Sequence, residues 1–256
     1  MMSSIIYEKD HHISYIFLNR PERRNAIDTQ TTQLFIDYLN RFKADQDSRV
    51  LILTGLGDKA FCSGIDLKES IENDESWKAR SSSRGKLFEA IIETWKPVIC
   101  AMNGAAVGAG CEIALASDIR LAVKDSMIGL PEAKRGMGAT FGATLLPKMI
   151  SPNMAAYLLY TGNLIKADEA KRIGLLNEVL PDQASLVKRA NEIAEEICYC
   201  APLSVKRMKE TIWKTMDSPL FQALRLDIGP NVYESEDRKE GAKAFLERRP
   251  PIWKGI

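Results

Sequence analysis

Histidine is almost missing from this 256-residue chain: there are only His11 and His12, and they are adjacent. No G-x-S-x-G occurs either, so a Ser–His–Asp nucleophilic centre has no footing. Cysteine is scarce and odd in number. Cys62, Cys100, Cys111, Cys198 and Cys200 contain no C-x-x-C pair and lie mostly among apolar residues. That pattern argues against zinc and against a disulfide scaffold, and it fits a reducing compartment, expected to be the cytoplasm. Long apolar runs are absent as well. The stretch 97–106 falls well short of the roughly 18 residues a membrane-spanning helix needs. The first ten residues lack the basic-then-apolar pattern of a secretory leader. A charge excess of either sign is also missing, with 35 Lys+Arg against 34 Asp+Glu. No overall field therefore favours nucleic acid or an anionic membrane, and no aromatic–basic stripe marks an RNA-binding face.

What is present is the alternation of an α/β protein. Two β-rich runs, 4–9 and 13–18, flank Asp10-His11-His12 and predict a hairpin. Leu34, Phe35, Tyr38, Leu39 and Phe42 recur at helical spacing after an N-cap at Asp28 or Thr29. Residues 50–53 form a short, wholly apolar run ending at Gly55, the pattern of a buried parallel strand. The serine-rich segment 69–84 is expected to be mobile, ahead of a helix over 85–95. Strand 98–102, helix 110–116 and strand 119–123 continue the alternation of a wound parallel sheet. Beyond Thr140 the pattern is nearly all helical, over 143–150, 153–161, 167–172, 184–197, 203–214, 219–226 and 235–247.

Chemistry concentrates at Asn103-Gly104-Ala105-Ala106-Val107-Gly108-Ala109-Gly110-Cys111-Glu112, followed by Gly129-Leu130-Pro131-Glu132. Gly108-Ala109-Gly110 follows a strand and opens a helix, as a dinucleotide fingerprint requires, but Ile113 stands where its third glycine belongs. No G-K-[ST] follows, which excludes a P-loop. What remains is a helix N-terminus with free N–H groups. A second small-residue turn, Phe61-Cys62-Ser63-Gly64-Ile65-Asp66-Leu67-Lys68, also exposes backbone, and Asp66 there could serve simply as a helix cap. One donor from each turn would make an oxyanion hole.

Taken in order, these stretches resemble the enoyl-CoA hydratase/isomerase (crotonase) superfamily. The resemblance also rests on Leu18-Asn19-Arg20-Pro21 with Asn25-Ala26, Ser117-Asp118-Ile119-Arg120, Lys134-Arg135-Gly136 and the run from Ser235 to Gly241. It implies a crotonase-like α/β spiral of ββα units over residues 1–200, and a helical region over 201–256 used in trimerisation. A homotrimer, or a homohexamer built as a dimer of trimers, is the implied assembly. By position, the oxyanion-hole N–H groups fall on Ile65 and Ala109, and the two catalytic glutamates of the hydratases fall on Glu112 and Glu132. The implied substrate is an acyl-CoA thioester that carries its own activated carbonyl, so coenzyme A arrives with the substrate and no resident cofactor or metal is expected. Retention of both glutamates favours hydration. An isomerase using mainly Glu132 is the alternative within the superfamily, and an RNA-binding relative is the alternative outside catalysis.

Further residues are assigned to substrate and CoA. Arg24 and Lys68, with Arg23 beside them, are candidate phosphate contacts, as are Arg248 and Lys243 from a C-terminal helix reaching a neighbouring subunit. Ser63, Gly64 and Asp66 belong to the turn against which the adenine lies in family members, and Phe245 resembles a residue that packs near the nucleotide. The chain departs from the family pattern at Gly138-Ala139-Thr140-Phe141-Gly142, where many hydratases carry Gly-Gly-Thr, and Phe141 adds bulk at the expected acyl site. Asp118 is read as structural.

Overall fold

The computed structural model describes residues 3–72 and 85–256. Strands β1 (Ile5–Asp10) and β2 (Ile13–Leu18) form the expected hairpin, with His11-His12 as its two-residue turn. The remaining strands are β3 (Val50–Gly55), β4 (Ala60–Cys62), β5 (Val98–Met102), β6 (Ala105–Val107), β7 (Ile119–Val123), β8 (Met127–Gly129), β9 (Ile165–Lys166) and β10 (Glu178–Leu180). They make two sheets. One has six strands in the order β1-β2-β3-β5-β7-β10, parallel except for the hairpin; the other has four in the order β4-β6-β8-β9, parallel except for β8 and β9. Each pass of the chain lays a long strand in the first sheet and a three-residue strand in the second. Helices Lys86–Ile92 and Ala109–Ala116 make the return after β4 and β6. The result is a spiral of ββα units.

The sheet is buried on both faces, which is why its central strands read as continuous apolar runs. Side chains alternate across a strand. Leu51 and Leu53 accordingly face the larger core with Phe35, Phe61 and Ile113, while Val50 and Ile52 face a second core with Ile99, Leu121, Leu186 and Ile193. Leu186 and Ile193 lie on helix Gln183–Cys198, which Asp182 caps by accepting from the Ser185 N–H at 2.7 Å. Helix Thr29–Ala44 buries Phe35, Leu39 and Phe42 against the first core, and Asp28 caps it by accepting from the Thr31 N–H.

Several boundaries differ from the sequence reading for local reasons. The helix expected over 85–95 stops at Ile92, because Trp95 adopts a φ of 51° that a helix cannot continue. The helix expected from 143 starts at Thr140 instead, and the one expected over 219–226 covers only Leu220–Ala223. Of the segment expected to be mobile, residues up to Glu72 lie in helix Leu67–Glu72, and residues 73–84 lie outside the described residues. No helix among the described residues is long and apolar enough to cross a membrane.

Helix Pro202–Thr215 is keyed to the core through a charge pair whose lysine is buried. The Lys209 ammonium donates to the Asp118 carboxylate at 2.9 Å, to the Lys96 carbonyl at 2.8 Å and to the Thr94 hydroxyl at 3.2 Å. Asp118 also accepts from the Val98 N–H and the Trp213 indole N–H, which bears out its reading as structural. Burial pushes the Lys209 pKa down and Asp118 pulls it back up. Removing the aspartate strands a buried ammonium. Asp118→Asn should therefore lose about 3 kcal/mol, lowering the calorimetric melting temperature by roughly 6–12 °C; an unchanged melting temperature would deny the pair that role.

Candidate active site

Two turns meet where the second sheet ends. Helix Ala109–Ala116 follows Gly108, whose φ is 58°, and no side chain caps it, so its first N–H groups stay available. A Cβ on Gly110 would overlap the carbonyl oxygen of Cys62 at the end of β4, so only glycine lets the helix seat there. Gly64, at φ 100°, lies equally close: a Cβ on it would come within 2.9 Å of the Val107 carbonyl and 3.6 Å of the Ala109 nitrogen. The two turns thus pack backbone on backbone.

That contact determines where Ile65 points. Ile27 pairs with Ile65 as a parallel bridge, its N–H donating to the Gly64 carbonyl and its carbonyl accepting from the Asp66 N–H, both at 2.9 Å. In such a bridge the flanking residues supply the bonds, so the N–H of Ile65 faces away from Ile27. Neither the Ile65 nor the Ala109 N–H donates in the turn and loop hydrogen bonds of the described residues. Both residues line a cavity of about 530 Å³, and so do Glu112 and Glu132.

The two carboxylates have contrasting surroundings. Glu112 lies in the first turn of helix Ala109–Ala116, only 8 % exposed, and its Oε1 accepts from the Gly142 N–H at 2.9 Å. That bond fixes Oε1 as an acceptor and leaves Oε2 as the oxygen that can take a proton. Glu132 opens the 3₁₀ turn Glu132–Arg135. Burial pushes its carboxyl up from the ordinary 4.5, against smaller opposing pulls from its own backbone N–H and from Arg135. Its buried Oε2 has no hydrogen-bond partner among the described residues. A carboxyl in that setting favours the protonated form, which suits a proton donor.

Past the carboxylates the cavity becomes apolar. Phe88 and Phe141 stack with ring centroids 4.7 Å apart, and Leu87 and Met137 line the wall with them. Phe141 was singled out in the sequence; Phe88 was not, because on helix Lys86–Ile92 it reads as one more core position. Gly142 was quoted only as part of a departure, and nothing in its neighbours signals that its N–H would hold Glu112.

Of the residues assigned from sequence, Ser63, Gly64, Ile65, Ala109, Glu112, Glu132 and Phe141 line this one cavity. Arg24, Asp66, Lys68, Phe245 and Arg248 are not among its lining residues. Asp66 pairs with Arg20 at 3.1 Å and accepts from the Lys68 N–H. Arg24 borders a smaller pocket of about 180 Å³ beside Lys59. Lys68 is exposed. Phe245 is 83 % exposed on helix Glu236–Glu247, which Arg248 terminates in a left-handed conformation. Among the described residues, no group of three or more His, Cys, Asp or Glu is placed to hold a metal ion.

Known proteins resemble this chain along nearly its whole length. The model of the enoyl-CoA hydratase/isomerase family matches residues 8–256. The chain is 38 % identical over 254 residues to (E)-benzylidenesuccinyl-CoA hydratase of Thauera aromatica, covering 98 % of this chain and 99 % of that protein. It is 35 % identical over 252 residues to short-chain-enoyl-CoA hydratase of Clostridium acetobutylicum, covering 97 % and 96 %. The crystal structure of an enoyl-CoA hydratase from Bacillus anthracis superposes with a TM-score of 0.94 at 34 % identity, over 99 % of this chain and all of that one.

Proposed function

Because the chain belongs to the enoyl-CoA hydratase/isomerase family, we propose that it adds water across the 2,3 double bond of a 2-enoyl-CoA thioester. One observation carries this reading: two unengaged N–H groups and two differently placed carboxylates line a single cavity. The thioester oxygen sits between the N–H groups of Ile65 and Ala109, at the positive end of helix Ala109–Ala116, so charge moving onto it is stabilised as it develops. That withdrawal polarises the double bond. Glu112 removes a proton from water as its oxygen bonds to C3, and Glu132 gives a proton to C2. The enolate collapses to the 3-hydroxyacyl thioester. Glu112 is left protonated and Glu132 ionised, and exchange with solvent restores both.

Coenzyme A enters as part of the substrate, with Arg24 and Lys68 on its phosphates and Ser63, Gly64 and Asp66 along its adenine. The helical region 201–256 mediates a homotrimer or a dimer of trimers, in which Phe245 and Arg248 reach a neighbouring copy's nucleotide. Supporting this, Leu220, Phe221, Leu224, Phe245 and Leu246 are all exposed on the isolated chain.

The test is turnover of a series of 2-enoyl-CoA thioesters. Loss of the conjugated-thioester absorbance with gain of one water in mass is expected. No mass gain with any of them, together with conversion of a 3-enoyl-CoA to its conjugated isomer, overturns hydration in favour of isomerisation. The Phe88–Phe141 stack supplies a second expectation. Phe141→Ala removes one wall of the acyl space and should raise kcat/KM for an eight-carbon over a four-carbon substrate by about tenfold. An unchanged ratio would show that the stack does not set chain length.

A further inference from the structure

We propose that the acyl group this cavity selects carries a carboxylate of its own, and that Arg135 binds it. The inference rests on the hydratase reading and narrows its substrate class.

A 3₁₀ helix has three residues per turn, so side chains three apart lie one above the other. Glu132 and Arg135 are the first and last residues of such a turn, and both line the cavity. Arg135 therefore stands one turn from Glu132, roughly 6 Å along the axis. It makes no ion pair or hydrogen bond with any described residue, and it is the one cation among the described residues that line the cavity. The other charged groups there are the carboxylates Glu89, Glu112 and Glu132. Arg135 borders the cavity with its side chain exposed to solvent, so a bound anion would reach it at the open side of the acyl space. The Arg135 charge also works against the proton that Glu132 must carry, as its downward pull on that carboxyl records. A carboxylate on the substrate would supply the missing anion, in the planar two-point geometry that guanidinium favours, and would cancel that pull. The thioester end cannot supply it, because that end lies at Ile65 and Ala109, on the turns that carry the CoA contacts.

The experiment compares 4-carboxybut-2-enoyl-CoA with 5-methylhex-2-enoyl-CoA, which replaces the carboxylate by an isopropyl group of the same shape, in the wild type and in Arg135→Met and Arg135→Lys. Expected is a preference for the carboxylate substrate of about tenfold or more in kcat/KM. Arg135→Met should abolish that preference, read as the ratio of the two substrates so that its effect on the Glu132 proton, common to both, cancels, and Arg135→Lys should restore part of it. Calorimetric binding of the saturated thioesters, 4-carboxybutanoyl-CoA and 5-methylhexanoyl-CoA, reads the same preference without turnover. Equal rates and equal binding in the wild type, or an equal loss on both substrates in Arg135→Met, overturns the assignment of Arg135 and leaves hydration standing. Failure of both enoyl thioesters to gain water, with Arg135-dependent binding of the saturated carboxylate thioester retained, overturns hydration and leaves the carboxylate site standing.

Discussion

Glu132→Gln is expected to slow hydration by about 10²–10⁴-fold and, unlike most active-site losses, to raise the melting temperature. The rate falls because glutamine has no proton of suitable acidity to give C2. The stability gain follows from where the carboxyl lies. Burial raises its pKa from 4.5, so the folded chain holds the proton more tightly than the unfolded one. Ionising it in place is unfavourable, and that penalty is absent below pH 4.5, grows as the pH rises through the raised folded value, and is fully present above it. Glutamine never ionises. Its advantage at neutral pH should therefore vanish when melting is measured below pH 4.5. The same protonation makes hydration by the wild type decline as pH rises through the raised Glu132 value. Glu112→Gln provides the contrast, since it loses a similar factor in rate but its oxygen keeps the Gly142 N–H, so no gain in melting temperature is expected. Wild-type rates in either variant would remove that glutamate from the mechanism.

Gly110→Ala is expected to damage fold and activity together. The added methyl has nowhere to go: beyond the Cys62 carbonyl oxygen it meets Cys62 Cβ at 2.8 Å and the carbonyl carbon at 2.9 Å. Backbone at a strand end does not swing aside as a side-chain tip does, so the helix must lift off β4. Overpacking of this kind destabilises by about 2–3 kcal/mol, roughly 5–10 °C in melting temperature. Lifting the helix also carries the Ala109 N–H away from the proposed oxyanion position, and losing one such donor lowers kcat by about 10²–10³-fold. Gly138→Ala is the control. Its Cβ would find only the Thr140 hydroxyl at 3.9 Å, so its melting temperature should match the wild type. A Gly110→Ala enzyme with normal rate and normal melting would refute the close approach of helix and strand.

How far the sequence revealed this architecture depended on element length. The hairpin, helix Thr29–Ala44 and strands β3, β5 and β7 were legible, because five or more residues suffice to show a period or a continuous apolar run. The second sheet was invisible. Its strands are two or three residues long, too short to establish an alternation, and they form because the turns after β3, β5 and β7 stack on one another. The start at Thr140 was hidden by Gly138 and Gly142, which read as loop although Gly142 sits inside the helix against Leu130. Glu112 and Glu132 could be named from the family resemblance, whereas their different environments could not. The Gly142 donor comes from a helix thirty residues downstream of Glu112, and the burial of Glu132 depends on the packed turns around it. Phe88 was missed for the same reason, since its partner Phe141 lies on another helix.

The Asp118–Lys209 pair has a consequence for the order in which the molecule is made. Asp118 follows directly on the helix that bears the Ala109 N–H and Glu112, and it ties that helix to the start of β5. A ribosome delivers the chain from its N-terminus, so every cavity-lining residue, the last being Thr144, emerges well before Lys209. Until then Asp118 faces a depression without its cation, and contacts spanning such a separation in sequence form late. The nascent protein thus holds all the parts of its cavity before the brace that steadies them has been made, and the last helices secure that cavity as they dock.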